Sequence, residues 1–178
     1  DYKPTGALSS ADLTSPTAIE GLVTAAYAAI GNGDMIGPIY RNWAYGSVRP
    51  DDAYKGGGGP GDVGEIDAME YYNLVTPTMD AFVFRTWKNL FKSVGRANVA
   101  LRAVSSLSDG AFPQKKSRLA ELRFLRGHSY FTMKRLYKNI PIFDENTSDE
   151  DILKTGNDLS NDASWDKIAA DFQYAIDN

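Results

Sequence analysis

Residues 119–137 read Leu119-Ala120-Glu121-Leu122-Arg123-Phe124-Leu125-Arg126-Gly127-His128-Ser129-Tyr130-Phe131-Thr132-Met133-Lys134-Arg135-Leu136-Tyr137, and the chain then runs through Lys138-Asn139-Ile140 to Pro141. Leu122, Leu125, Met133 and Leu136 recur at helical spacing, and Ala120, Phe124, Gly127 and Phe131 make a second apolar row beside them. An apolar face this wide belongs to a helix gripped by neighbours on more than one side. Ala120 and Gly127 are small enough to let another helix come close, and Pro141 is a residue the helix cannot run through. The stretch is expected to be the central strut of a helical array.

Around it, 178 residues suffice for one sizeable core, and 43% hydrophobic with 12% aromatic composition is that of a globular chain. A net charge of -4 leaves no excess of Lys and Arg to displace counterions from phosphates, which argues against a nucleic-acid partner. The absence of cysteine excludes disulfides, thiol catalysis and thiolate metal sites. No apolar run is long enough to span a membrane, and no basic segment followed by an apolar one marks a secretory leader.

Residues 1–15, polar with Pro4 and Gly6, read as an arm laid over the surface. Ser15 then suits a helix cap and Pro16 the first helical position, ahead of a stripe of Ile19, Leu22, Val23, Ala26, Tyr27 and Ile30 that Gly31 and Gly33 close. Residues 34–77 form a long aromatic and glycine-rich loop region without sustained helical period. It holds Trp43, Tyr45, Tyr54, Tyr71, Tyr72 and the run Gly56-Gly57-Gly58-Gly59-Pro60-Gly61, with a weak helical or turn-rich reading at Ile66 to Asn73. From about Met79 to Leu107, Trp87, Leu90, Phe91, Val94, Asn98 and Leu101 step by three or four residues and predict a long amphipathic helix, ended by Ser108-Asp109-Gly110. Pro113 opens the strut. Asp144 to Asp162 is a second, acidic connection, and a last helix is predicted from Ser164 with Trp165, Ile168, Ala169, Phe172 and Ile176 on one face.

Helix pairs with a Trp near the start of one member, small residues inside and Pro after the second suggest tetratricopeptide-like stacking in an all-α fold. Leu90 and Ala103 fit that consensus counted from Trp87, whereas Phe91 and Val94 depart from it. Such pairs need several neighbours to bury a core, so the chain, residues 1–178, is expected to be the front part of a longer protein.

Several motifs converge on one family. Ala120-Glu121-Leu122-Arg123-Phe124-Leu125-Arg126-Gly127, then Tyr130-Phe131, Leu136-Tyr137 and Ile140-Pro141, resembles the signature helix of the RagB/SusD nutrient-binding lipoproteins, whose usual pattern is Ala-Glu-Ala-Arg-Phe-Leu-Arg-Ala, Tyr-Tyr-Phe and Leu-Tyr-Gly-x-x-Pro. Leu122 and Gly127 replace the usual alanines and Lys138 the glycine. Trp87 to Asn98 is similar to the family's Trp-x-x-x-Tyr-x-x-Ile-x-x-Ala-Asn helix, and Tyr27, the Asp51-Asp52 pair and the Pro4-x-Gly6 arm fall where the family has their like.

The resemblance implies a mostly helical, SusD-like fold with tetratricopeptide-like pairs near the N-terminus and an irregular, ligand-contacting C-terminal half. It also implies anchoring at the outer membrane, on the cell surface, through a lipidated cysteine upstream of Asp1. The partner it implies is a SusC-like TonB-dependent outer-membrane transporter, over which the protein forms a lid and to which it delivers glycans or other nutrients. The family fixes no universal ligand residues.

The residues themselves place binding in the aromatic-rich loop. Sugars present C–H faces that stack on Trp and Tyr, and their hydroxyls seek carboxylates, amides and Arg. Trp43, Tyr45, Arg49, Asp51, Asp52 and Tyr54 offer both kinds of group close together in sequence. The competing reading makes Trp43 and Tyr45 core or transporter-contacting residues.

The glycine run lacks the Lys-Ser or Lys-Thr of a P-loop, and Asp51, Asp52, Asp62, Glu65 and Asp67 would repel phosphate. The same carboxylates suit Ca²⁺ by type but not by EF-hand spacing, so no cofactor is expected, with calcium held open beside a flexible, solvated loop. His128, the lone histidine, is read as a packing or hydrogen-bonding residue rather than part of a metal or catalytic group. Asn98 is read as a hydrogen-bonder to neighbouring backbone, Glu121 as a partner of Arg118, and Arg123 and Arg126 as seeking carboxylates on adjacent helices. Asp51 and Asp52 are adjacent, so they do not flank one bond from opposite sides as glycoside hydrolysis requires, and no enzyme activity is expected. The alternative function is a helical-repeat scaffold that binds a protein partner and no nutrient.

Overall fold

The computed structural model describes residues 15–31, 44–73 and 77–178. Among them the chain is helical and contains no strand, so the all-α reading holds. The Ser15 hydroxyl accepts the Ala18 N–H at 3.2 Å and Pro16 takes the first helical position, giving α1 (Pro16–Ile30). A π-helical turn (Ala44–Val48) and α2 (Gly64–Glu70) follow, then α3 (Pro77–Ser106), α4 (Lys115–Tyr137), α5 (Asp149–Lys154) and α6 (Asn161–Asp177).

Several boundaries differ from the sequence reading. The region 34–77 is not all loop, because Ile66, Ala68 and Met69 on α2 bury with Ala44, Val48 and Phe82 in a small core. Within the acidic connection, Ser148 accepts the Asp151 N–H at 3.1 Å, and Asp149, Glu150 and Asp151 sit in the first turn of α5, where the helix dipole favours them. The last helix begins before Ser164, since Ser160 is its cap and accepts the Ala163 N–H at 3.2 Å. Ser164 turns inward, with its hydroxyl donating to the Ser160 carbonyl at 2.9 Å. The arm at 1–15 lies, except for Ser15, outside the described residues.

The chain divides into two compact units, Asp1–Ala29 with Ser93–Asn178, and Ile30–Lys92. In the first, α4 is fastened to each helix beside it. Arg118 donates to Glu20 of α1 at 3.0 Å and to Glu121 at 2.6 Å, and the Tyr27 hydroxyl donates to Glu121 at 3.1 Å. Arg96 of α3 reaches the Ala25 carbonyl of α1 at 3.1 Å. Leu122, Leu125 and Met133 are buried as the first apolar row requires, together with Ala120 and Gly127 of the second row. Phe124 and Phe131 stay partly exposed and meet α6 instead, with ring centroids 5.7 Å and 6.5 Å from that of Phe172. A Cβ on Gly127 would stand 3.2 Å from the Asp171 Cβ and 3.3 Å from the Phe172 ring, so the missing side chain sets how closely α4 and α6 approach.

At that closest approach sits Arg126, 3% exposed. Its guanidinium meets Asp171 of α6 side-on through Nε and Nη2, both at 2.7 Å. Its Nη1 donates to Glu145 at 2.5 Å and to the Asn98 side-chain oxygen on α3 at 2.7 Å. Asn98 therefore pairs with a side chain rather than with neighbouring backbone. Arg123 bridges the same two acids, at 2.9 Å to Asp171 and 3.1 Å to Glu145, and its guanidinium carbon lies 5.0 Å from the centre of the Tyr174 ring. Burial alone pushes a guanidinium toward its neutral form, but the bonds from Asp171 and then Glu145 outweigh it and hold Arg126 firmly charged.

Helix α4 stops at Tyr137, short of Pro141. Lys138 takes φ 62 and ψ -64, and the Asn139 N–H turns back to the Tyr137 carbonyl at 2.6 Å. This is a γ-turn with its central residue at positive φ, a strained place for a side-chain-bearing residue. The reversed chain is then pinned by Tyr130, whose hydroxyl donates to the Phe143 carbonyl at 2.7 Å and accepts the Phe143 N–H at 3.0 Å.

Two stability measurements follow. Arg126→Met leaves Asp171 and Glu145 buried with only the Arg123 charge between them, and is expected to cost about 3–5 kcal/mol in urea unfolding; a loss below about 1 kcal/mol would contradict the central role given to this contact. Lys138→Gly relieves the positive φ by about 1–3 kcal/mol and gives back part of that in unfolded-state entropy, so a net gain near 1 kcal/mol is expected.

Candidate functional site

The unit at Ile30–Lys92 is built on short apolar contacts, and its exposed surface follows from how they turn the chain. After the π-helical turn, the Arg49 N–H bonds the Ala44 carbonyl at 3.1 Å and the Ala53 N–H bonds the Ser47 carbonyl at 2.9 Å, folding residues 49–53 back on the turn. On α2, Ile66, Ala68 and Met69 face inward. The residues just past its end, Tyr71 and Tyr72, are left outside.

The next segment is fastened by Lys55. Its backbone N–H donates to Glu70 at 2.9 Å, and its ammonium donates to the Gly59 carbonyl at 2.8 Å and pairs with Asp67 at 3.5 Å. Asp62 accepts the Gly58 N–H at 3.0 Å. Gly56, Gly57 and Gly59 all have positive φ, and a Cβ on Gly57 would collide with the Asp62 carboxylate. The glycine run is thus tied by Lys55 and Asp62, and three of its nearby carboxylates, Asp62, Asp67 and Glu70, are already engaged. Among the described residues no group of three or more His, Asp or Glu side chains is placed to hold a metal ion.

Of the residues singled out in sequence, Trp43 lies outside the described residues. Tyr45 is half-buried, with its ring centroid 5.5 Å from that of Phe82 and its hydroxyl 3.4 Å from that of Thr86, so it packs against the small core. Arg49 is half-buried, and Asp51, Asp52 and Tyr54 are exposed. The residues absent from that set are Tyr71 and Tyr72. Tyr72 donates its hydroxyl to the Arg49 carbonyl at 2.5 Å, and the Arg49 guanidinium lies 5.9 Å from the centre of its ring. The Tyr71 phenol lies within reach of the Tyr54 phenol, which is the first cause of its raised pKa, ahead of Glu70.

The outcome is an aromatic patch, with Tyr54 77%, Tyr71 62% and Tyr72 55% exposed, flanked by Arg49, Asp51 and Asp52. Asp51 and Tyr72 both carry positive φ, at 68 and 54, so backbone strain is concentrated at the patch. Such a surface offers flat apolar faces together with donors and acceptors of both charges. No protein-family model matches the chain, and no curated protein aligns with it.

The closeness of the two phenols is itself measurable. Tyr54 disfavours ionisation of Tyr71, so Tyr54→Phe is expected to move the Tyr71 titration down toward its ordinary value, read by tyrosinate absorbance against pH. An unmoved titration would separate the two side chains and break the patch.

Proposed function

We propose that this chain belongs to a nutrient-binding protein of the RagB/SusD kind, a cell-surface component that binds glycan and passes it to a SusC-like TonB-dependent outer-membrane transporter. In this reading it catalyses no reaction and is held at the outer membrane by a lipid anchor upstream of Asp1. The family reading is supported by the ordered residues of α3 and α4. The glycan reading is supported by one observation above others, the exposed Tyr54, Tyr71 and Tyr72 beside Arg49, Asp51 and Asp52. Large aromatics left in water at one place suit a ligand with apolar faces and many hydroxyls. Mixed charge at the rim suits a neutral ligand better than an anion or a cation.

A helical scaffold for a protein partner is the second reading. What favours it is in the other unit, where Phe124 is 50% and Phe131 36% exposed along α4.

Calorimetric titration of the purified protein against a panel of soluble oligosaccharides tests the first reading. A saturable ligand is expected, and replacing Tyr54 and Tyr71 together by Ala should weaken it roughly three- to tenfold through lost stacking. The fold should be unaffected, because both side chains are exposed. Failure of every oligosaccharide, together with failure to co-purify a barrel transporter, would favour the scaffold.

A further inference from the structure

Between α4, α6 and the segment that follows α4 lies a half-open cavity of 270 Å³. Arg123, Arg126 and Asp171 contribute its floor, Ile142 and Asp144 come from the segment after α4, and Lys167 and Ala170 come from α6. The charges of the floor are matched, since two guanidiniums face Asp171 and Glu145 at 2.5 to 3.1 Å.

The rim is different. Oδ1 of Asp144 accepts the Asn146 N–H at 2.9 Å and the Thr147 hydroxyl at 3.2 Å, and the carboxylate makes no ion pair among the described residues. The Lys167 ammonium has no ion pair among them either. Although partial burial pushes the Asp144 carboxyl upward, the Asn146 N–H and the Thr147 hydroxyl hold it below its ordinary value, so it is charged at neutral pH.

Asp144 and Lys167 thus line one small cavity with opposite charges that do not pair with each other. A lone anion would gain Lys167 but meet Asp144, and a lone cation the reverse. A molecule carrying both charges at its two ends satisfies both, and its carbons can rest on Ile142 and Ala170. The volume is below that of a drug-sized pocket and suits a ligand the size of an amino acid.

We infer that this cavity binds a small zwitterion, with its ammonium on Asp144 and its carboxylate on Lys167. The site is separate from the tyrosine patch and does not depend on the glycan reading. Titrating isotope-labelled protein with alanine and β-alanine, and reading the amide signals of residues 144–147 and 167–171, tests it. Acetate, methylammonium and glycerol serve as probes carrying one charge or none. At least one zwitterion is expected to saturate, with every single-charge or neutral probe about tenfold weaker or more. Lys167→Met and Asp144→Asn should each weaken the zwitterion by a similar factor, with the thermal midpoint unmoved in Lys167→Met, whose side chain is exposed. Lack of saturation by both zwitterions, equal saturation by acetate or glycerol, or binding that survives both substitutions would overturn the proposal. The comparison among probes on the unaltered protein decides the matter even if a variant folds poorly.

Discussion

A buried guanidinium has to be met by charge on nearly every side, and Arg126 imposes that requirement on the unit around it. Leaving such an ion unpaired in a protein interior costs several kcal/mol. Its partners come from different parts of the chain: Asn98 from α3, Asp171 from α6 and Glu145 from the segment after α4. Meeting Asp171 side-on brings α6 hard against α4, where a Cβ at position 127 would stand 3.2 Å from the Asp171 Cβ, tighter than ordinary contact. Meeting Glu145 requires the chain to reverse soon after α4. The turn at Lys138 and the paired bonds between Tyr130 and Phe143 accomplish this. One charge thus ties a close helix spacing and a chain reversal to the same contact.

Features set within a few residues of one another could be read before the structure was known. Ser15 and Pro16 begin α1 by capping and by a preset φ, both local properties, and the wide apolar face of α4 correctly implies neighbours on several sides. Features set by distant packing could not. Helix α2 is only Gly64–Glu70, too short to stand on its own propensity, and it is held because Ile66 and Met69 meet Val48 and Phe82. Helix α6 starts before Ser164 because Ser160 accepts the Ala163 N–H, while Ser164 is turned inward at 1% exposure. Pro141 was read as the stop of α4, whereas the turn at Lys138 ends the helix first.

The candidate site was legible in the same uneven way. Composition draws attention to the loop in which aromatics and acids are crowded. It did not say which aromatics face outward. Tyr45 has the sequence neighbours of a ligand residue but the position of a core residue, beside Phe82. Tyr71 and Tyr72 follow an inward-facing trio on α2, and that is the signal that would have placed them outside, had α2 been recognised as a helix. Burial on one face of a short element fixes the exposure of the residues that end it.

The polar side chains of α4 that carry the resemblance are engaged inside the fold. Glu121 is held by Arg118 and Tyr27, Arg123 and Arg126 by Asp171 and Glu145, and Tyr130 by the backbone of Phe143. A group whose hydrogen-bonding capacity is spent inside the fold cannot also set ligand choice without giving up a buried contact, at a cost of a few kcal/mol. In the proposed readings, choice of ligand rests on groups with capacity to spare, which here are the exposed phenols and carboxylates from Arg49 to Tyr72 and the rim of the cavity at Asp144 and Lys167. These positions can be exchanged without disturbing Arg126 and its partners. The α4 pattern accordingly says how the unit around Arg126 is assembled, and the proposed ligands are to be tested by substitution at the exposed positions.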